Sequence, residues 1–309
     1  MAYIGYNHDM IGLKNIHITP QILKQVASID EFKGLWAGLD EHTTALSLLG
    51  DVASYGQAFH NTLMELKGHE ITLQVLCALH ANIMGEKGGS DLRSAPYDMV
   101  IPVFAGDGGE IETAAPDDIE PLLVKLLSWV DNELNNQDGI HPLIAVSVFS
   151  SVFLQIAPFY DGNMKLLRLL MVIYLLKSGY AYVPYVLFDP IMLKKGRDIY
   201  HALSQNQDSL ASGKPDWSSW LQCFLGVLYE QKNILLDRLR EDKKDLSHLP
   251  TLSARIMKLF EEHKRLQMKQ IIKFTNGRRA TIKLRLSELV EQGYLKRHGK
   301  ARSTWYSLD

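Results

Sequence analysis

The densest run of chemistry-bearing residues is Ile156-Ala-Pro-Phe-Tyr-Asp-Gly-Asn-Met-Lys-Leu-Leu-Arg168. A proline-containing loop here delivers Asp161, Gly162 and Asn163 to the start of an apolar helix. The first N–H groups of a helix have no partner within it and lie at the positive end of its dipole, so they attract anions. A carboxylate beside them can hold Mg2+ against a phosphate. Lys165 and Arg168, in the first two turns, add positive charge for the same anion. The alternative is purely structural, with Asp161-Gly162 as a turn and Asn163 as a helix N-cap.

Such a loop needs a helical frame, and most of residues 20–240 carries apolar residues at helical spacing. Helices are predicted over Pro20–Gly38, Thr43–Leu66, Glu70–Met84, Asp117–Asn135, Asn163–Lys177, Ile191–Gln205 and Trp217–Leu239. His141-Pro142 reads as the start of a further helix running through Leu154. Between Gly85 and Thr113 the pattern breaks: two short extended runs, Met99–Phe104 and Glu110–Thr113, flank Ala105-Gly-Asp-Gly-Gly109. That arrangement predicts a β-hairpin. The charged run Glu241-Asp-Lys-Lys-Asp245 ahead of Pro250 marks a linker over 241–250, separating domains 1–240 and 251–309.

The chain has 309 residues, 46% hydrophobic and 22% charged, as in ordinary soluble proteins. Its net charge of −2 conceals a split. Residues 251–309 hold 14 Lys and Arg against 5 Asp and Glu, while residues 1–250 hold 19 against 30. A basic module on an acidic body points to nucleic acid as a partner. The first residues lack the pattern of a secretory signal, and the longest apolar stretch, Leu166–Ile173, is interrupted by Arg168. No membrane partner is expected, and the chain reads as cytoplasmic. Cys77 and Cys223 lie in apolar periodic segments without a CxxC partner or nearby histidine, which predicts buried free thiols.

The basic tail has its own periodicity. Helices are predicted over Ser253–His263, Gln267–Phe274 and Ala280–Gln292, with Asn276-Gly277 turning the chain between the last two. Lys296-Arg-His-Gly-Lys-Ala-Arg302 then leads into a strand over Ser303–Leu308. This order resembles a winged helix-turn-helix, whose third helix enters the major groove while the wing meets phosphates. Thr281, Lys283 and Arg285 are then expected to face DNA, with Ile282, Leu286 and Leu289 toward the core. Lys296, Arg297, Lys300 and Arg302 suit the wing. A solvated basic face or a protein-binding winged helix is the alternative. A homodimer is the default for such modules on symmetric sites.

The central segment resembles the signature of the Fic family, H-P-F-x-[D/E]-G-N-G-R-x-x-R. Pro158, Phe159, Asp161, Gly162, Asn163 and Arg168 match in register. The Arg93-bearing glycine loop, the hairpin before Ala115-Pro116, and Arg197, Tyr200, Trp217 and Trp220 extend the likeness over roughly residues 20–240. The implied fold is mainly α: a Fic-type helical domain with a β-hairpin flap, followed by the winged helix, in a bacterial-type protein. The resemblance implies transfer of AMP from ATP to the hydroxyl of a protein target. Asp161 would hold Mg2+, while Gly162, Asn163, Lys165 and Arg168 would bind the nucleotide and Phe159 would anchor the loop.

Three departures count against that activity. The position of the motif histidine, the general base, is Ala157. Loss of a general base typically costs about 10²–10⁴-fold. The second motif glycine is Met164, which would crowd the approach of phosphates, and the first motif arginine is Lys165, which keeps charge without bidentate geometry. His141 reads as a helix start rather than a substitute base. Many relatives also carry an inhibitory helix of the pattern [S/T]-x-x-x-E-[G/N]; within Asp51–Asn61, Ser54 is present but Ala58 stands where the glutamate belongs. The function expected is therefore a DNA-binding regulator with an impaired Fic body, a pseudoenzyme for which ATP and Mg2+ binding is in doubt. The competing expectation is an active AMP transferase.

Overall fold

The computed structural model describes residues 16–39, 70–85, 91–101, 109–244, 249–300 and 303–308. The helix predicted over Thr43–Leu66, the inhibitory-helix region Asp51–Asn61, most of the hairpin tip and Arg302 lie outside the described residues. The chain divides into two compact units, Met1–Leu235 and Leu236–Asp309.

In the first unit, α1 (Pro20–Ala37) begins with Pro20 at its first position, behind Thr19, whose hydroxyl accepts the N–H of Ile22 at 3.2 Å. α2 (Leu73–Met84) is capped in the same way by Thr72. Strands β1 (Met99–Ile101) and β2 (Gly109–Ile111) then pair antiparallel, with Val100 opposite Glu110. α3 (Pro116–Asn135) leads to α4 (Pro142–Ile156), in which every residue from Leu143 onward is buried. A helix that is apolar all round has to sit inside others. α4 packs against α3, against α5 (Asn163–Lys177) and against a later helix, α7. His141 does start α4, its Nδ1 accepting the N–H of Leu143 while Nε2 lies 3.0 Å from Asp30.

The helix predicted over Ile191–Gln205 is instead two helices, α6 (Phe188–Lys194) and α7 (Gly196–Ala211). Pro190 falls in the first turn of α6, where a missing N–H is tolerated. α8 (Ser218–Lys244) buries Trp220, Leu221, Phe224, Leu225 and Leu228, and its Trp220 donates to the carbonyl of Ser147 in α4. It continues through the first four residues of the segment read as a linker. A run of mixed charge is compatible with a helix as well as with a loop, and just before it Asp237 and Arg240 pair one turn apart at 3.1 Å.

The second unit holds α9 (Thr251–Glu262), β3 (Leu266–Gln267), α10 (Met268–Thr275), α11 (Arg279–Glu291), β4 (Leu295–His298) and β5 (Trp305–Leu308). The strands form one antiparallel sheet in the order β3-β5-β4. β3 was not legible in sequence, since two residues show no alternation. Ile256, Phe260, Ile271, Ile282, Leu286, Leu289 and Leu295 form the core of this unit. The unit thus consists of three helices, a two-residue strand and a hairpin. No described helix is long and apolar enough to cross a membrane.

Candidate functional site

The loop between α4 and α5 is held by the segment around Arg93 and by α2. Ala157 ends α4 in the left-handed conformation, with φ 43° and ψ 69°, and its N–H bonds Phe153 at 2.9 Å. A non-glycine residue there must be held by its surroundings. Arg93 does the holding. Its side chain, 2% exposed, donates to the carbonyls of Ala157 at 2.8 Å, Ile156 at 3.1 Å and Ala95 at 3.0 Å. It also donates to the carbonyl of Ala114 and to Thr113 Oγ1, while its own N–H bonds Pro158. One guanidinium therefore joins the loop, the start of the hairpin and its end. Burial disfavours the charge on Arg93 and lowers its pKa from the usual arginine value.

Phe159 is buried, and the ring of His80 from α2 lies parallel to it, 3.6 Å between centroids. His80 Nε2 is 2.9 Å from the carbonyl of Asp161. A carbonyl only accepts, so that nitrogen carries the proton. Gly162 has φ 79°, and a Cβ there would stand 2.6 Å from Met84 Sδ and 3.0 Å from His80 Nε2. Glycine is required on both counts.

The N-cap of α5 is Gly162, not Asn163. Asn163 is buried, and its amide is consumed by the loop: Oδ1 accepts from the N–H of Phe159 at 3.1 Å, and Nδ2 donates to the carbonyl of Phe159 at 2.6 Å. What Asn163 can offer an anion is its main-chain N–H. The first turn of α5 closes with Leu166 N–H on the carbonyl of Gly162. The N–H groups of Asn163, Met164 and Lys165 therefore point past the helix start. Asp161 is exposed beside them, its carboxylate accepting the N–H of Gly162 at 2.6 Å. No group of three or more metal-ligating side chains occurs among the described residues. One carboxylate at a helix N-terminus fits Mg2+ that arrives with phosphates, and it does not make a metal site by itself.

Of the other expected nucleotide ligands, Lys165 is exposed, but Arg168 is engaged: its Nη2 lies 2.7 Å from Asp189 Oδ1 in the first turn of α6. Met164 is half-buried. Tyr160, at the variable motif position, is 51% exposed, and its hydroxyl accepts the N–H groups of Ser94 at 3.2 Å and Ala95 at 2.9 Å. Bonding to Ser94, side chain before main chain, and to Ala95 holds its phenol below the usual tyrosine range. The hairpin base is fixed by α7. The ring of Tyr200 lies so close to Gly109 that a Cβ there would meet it at 2.0 Å, and Gln207 donates to the carbonyl of Glu112.

Sequence reasoning did not single out Arg93, His80, Tyr160 or Asp189 as site residues. A lone arginine in a glycine loop was the one signal for Arg93. His80 and Asp189 stand 77 and 28 residues away from Ala157 and Asp161, respectively, and no spacing rule connects them.

In the second unit, Thr281 and Lys283 are exposed on α11, as are Lys296, Arg297 and Lys300 on and beside β4. Arg285 is half-buried and turned along its own helix, Nη1 to Glu288 Oε2 at 2.7 Å. Ile282, Leu286 and Leu289 are fully buried.

The family model of the Fic/DOC family matches residues 70–175, which include the hairpin, α4, the loop and most of α5. A protein adenylyltransferase Fic of Drosophila grimshawi is 28% identical over 185 residues, and one of Culex quinquefasciatus is 29% identical over 185. Each alignment takes in 58% of this chain but only about a third of the relative, 34% and 33%. Among solved structures, a Fic family protein from Desulfovibrio desulfuricans G20 superposes with a TM-score of 0.55 at 19% identity, over 95% of this chain and 97% of that one. A Fic domain containing signaling protein from Bacteroides thetaiotaomicron VPI-5482 gives 0.51 at 15% identity, over 72% of this chain and 98% of its own. The residues that match the Fic/DOC family model, 70–175, thus take in the loop, the helix that follows it and the hairpin fixed by Arg93.

Proposed function

We propose that this protein is a DNA-binding regulator whose Fic body has lost most of its AMP transfer. Transfer joins a protein hydroxyl oxygen to the α-phosphorus of ATP and expels pyrophosphate, and the hydroxyl proton must go to a base. The observation that carries the reading is Ala157: fully buried, in the motif's histidine position, it ends in a methyl group and accepts no proton. Asp161 would hold Mg2+, which when bound would offset charge on the phosphates. The main-chain N–H groups of Asn163 to Lys165 would receive an anion, with Lys165 beside them. The curated relatives' name, protein adenylyltransferase, favours the second reading, an active transferase.

The engagement of Arg168 gives a separate test of the anion site. Replacing Asp189 by Asn is expected to tighten inorganic pyrophosphate binding about two- to fivefold, the usual worth of a partly exposed ion pair. Titration calorimetry checks this, and an unchanged affinity would show that Arg168 does not serve the site.

Support for DNA comes from the winged-helix arrangement of the second unit and its exposed Lys283, Lys296, Arg297 and Lys300. Arg302 would extend the same wing. Binding to duplex DNA should weaken steeply with salt as counterions are released. Changing Lys296, Arg297 and Lys300 together to Ala should flatten the plot of log K against log salt by about 0.9 for each phosphate no longer neutralised. Fluorescence anisotropy between 50 and 200 mM salt, roughly the range over which such pairing is felt, is the measurement. Binding that is absent or indifferent to salt would remove the DNA reading.

A further inference from the structure

The outer face of α11 is not what a merely solvated basic helix would show. Ile282 and Leu286 point into the core, and Leu284 lies two residues from each, so at 3.6 residues per turn it is on the opposite side. Leu284 is 55% exposed, the one exposed large apolar side chain of this helix among the described residues. Ala280, four residues before it, and Ser287, three after, share its strip and are exposed too. Lys283 flanks the strip on one side and Thr281 on the other, and Arg278 and Arg279 stand exposed at the helix start. The helix therefore presents a small apolar ridge within a margin of positive charge.

Resting on the DNA reading above, we infer that Leu284, with Ala280 beside it, reads the 5-methyl group of thymine in the major groove. The choice of occupant follows from charge. A protein-binding patch is depleted in charged residues at its centre and enriched in aromatic ones. Here the apolar ridge is one side chain wide and bordered by cations, which matches a groove whose floor offers thymine methyls between two rows of phosphate. Arg285 adds little to base contact, because Glu288 holds its guanidinium along the helix. Specificity then rests on Leu284 and on the Thr281 hydroxyl, while Lys283 and the hairpin lysines position the helix.

The test begins with duplexes selected from a random pool by the full-length chain, in which each thymine is replaced in turn by deoxyuridine. This removes a methyl group and nothing else. At one or two positions the unmodified chain is expected to lose about fourfold in affinity, the worth of one buried methyl group. Leu284→Ala, which leaves the core untouched, should bind those positions with no preference between thymine and deoxyuridine and keep its salt dependence. If deoxyuridine costs nothing at any position, or costs Leu284→Ala as much as the unmodified chain, the assignment of Leu284 is overturned while DNA binding stands. If no duplex is enriched and none binds in a salt-dependent way, the DNA reading itself is overturned, and this assignment with it.

Discussion

Ala157→His is expected to raise AMP transfer by about 10²–10⁴-fold, the usual contribution of a general base. The backbone at this position is set independently of its side chain. The N–H of residue 157 closes the last turn of α4 and its carbonyl is held by Arg93 at 2.8 Å. Histidine is among the residues that tolerate the left-handed region. Asn tolerates it as well but is no base at neutral pH, so Ala157→Asn should give no gain and serves as the control. Adding Met164→Gly should raise the rate further if the methionine crowds the phosphates. The assay is transfer of label from ATP to protein, with nucleotide binding followed by calorimetry. Turnover by the unmodified chain at the rate of the histidine variant would sink the regulator reading. A histidine variant that binds ATP and still fails to transfer would show that Ala157 is not what limits the chemistry.

The second large effect concerns stability. Arg93→Ala should destabilise the first unit by about 3–5 kcal/mol, a large share of the roughly 5–15 kcal/mol available to a domain. The side chain satisfies the carbonyls of Ala95, Ala114, Ile156 and Ala157 together with Thr113 Oγ1. Each buried acceptor left without a donor costs about 1–3 kcal/mol, and the sum is reduced where water can enter. Arg93→Lys should recover only part of the loss, because an ammonium cannot spread five donors across one plane. Urea unfolding of the full chain measures both variants. A loss under about 1 kcal/mol would mean that the carbonyls find other donors, and that Arg93 is not the staple its geometry describes.

Phe159 and Gly162 show how far local sequence carried. Phe159 was expected as the loop's anchor only through the resemblance, and Asp161-Gly162 as a turn through its residue types; the structure buries Phe159 and gives Gly162 a left-handed conformation at the start of α5. The bounds of α5, Asn163–Lys177, follow from apolar spacing alone. Leu286 and Leu289 faced the core for the same reason, since a period of 3.6 assigns them a side before any tertiary contact is known. Lys283 was separated from them by that period, whereas Leu284 was passed over because an apolar residue on an outer face carries no periodic signal.

Residue types and spacing set the chemistry on offer: a loop with Asp161 and Gly162 at a helix start, no base at position 157, and a basic tail. Tertiary structure decided which of those groups are occupied. Asn163 spends its amide on Phe159, and Arg168 is engaged by Asp189. Arg93, 64 residues before Ala157, fixes the loop that sequence could only delimit. Periodicity reports which way a residue faces, because that depends on local backbone geometry. Which partner it meets depends on contacts between distant segments, and those exist only once the helices have packed.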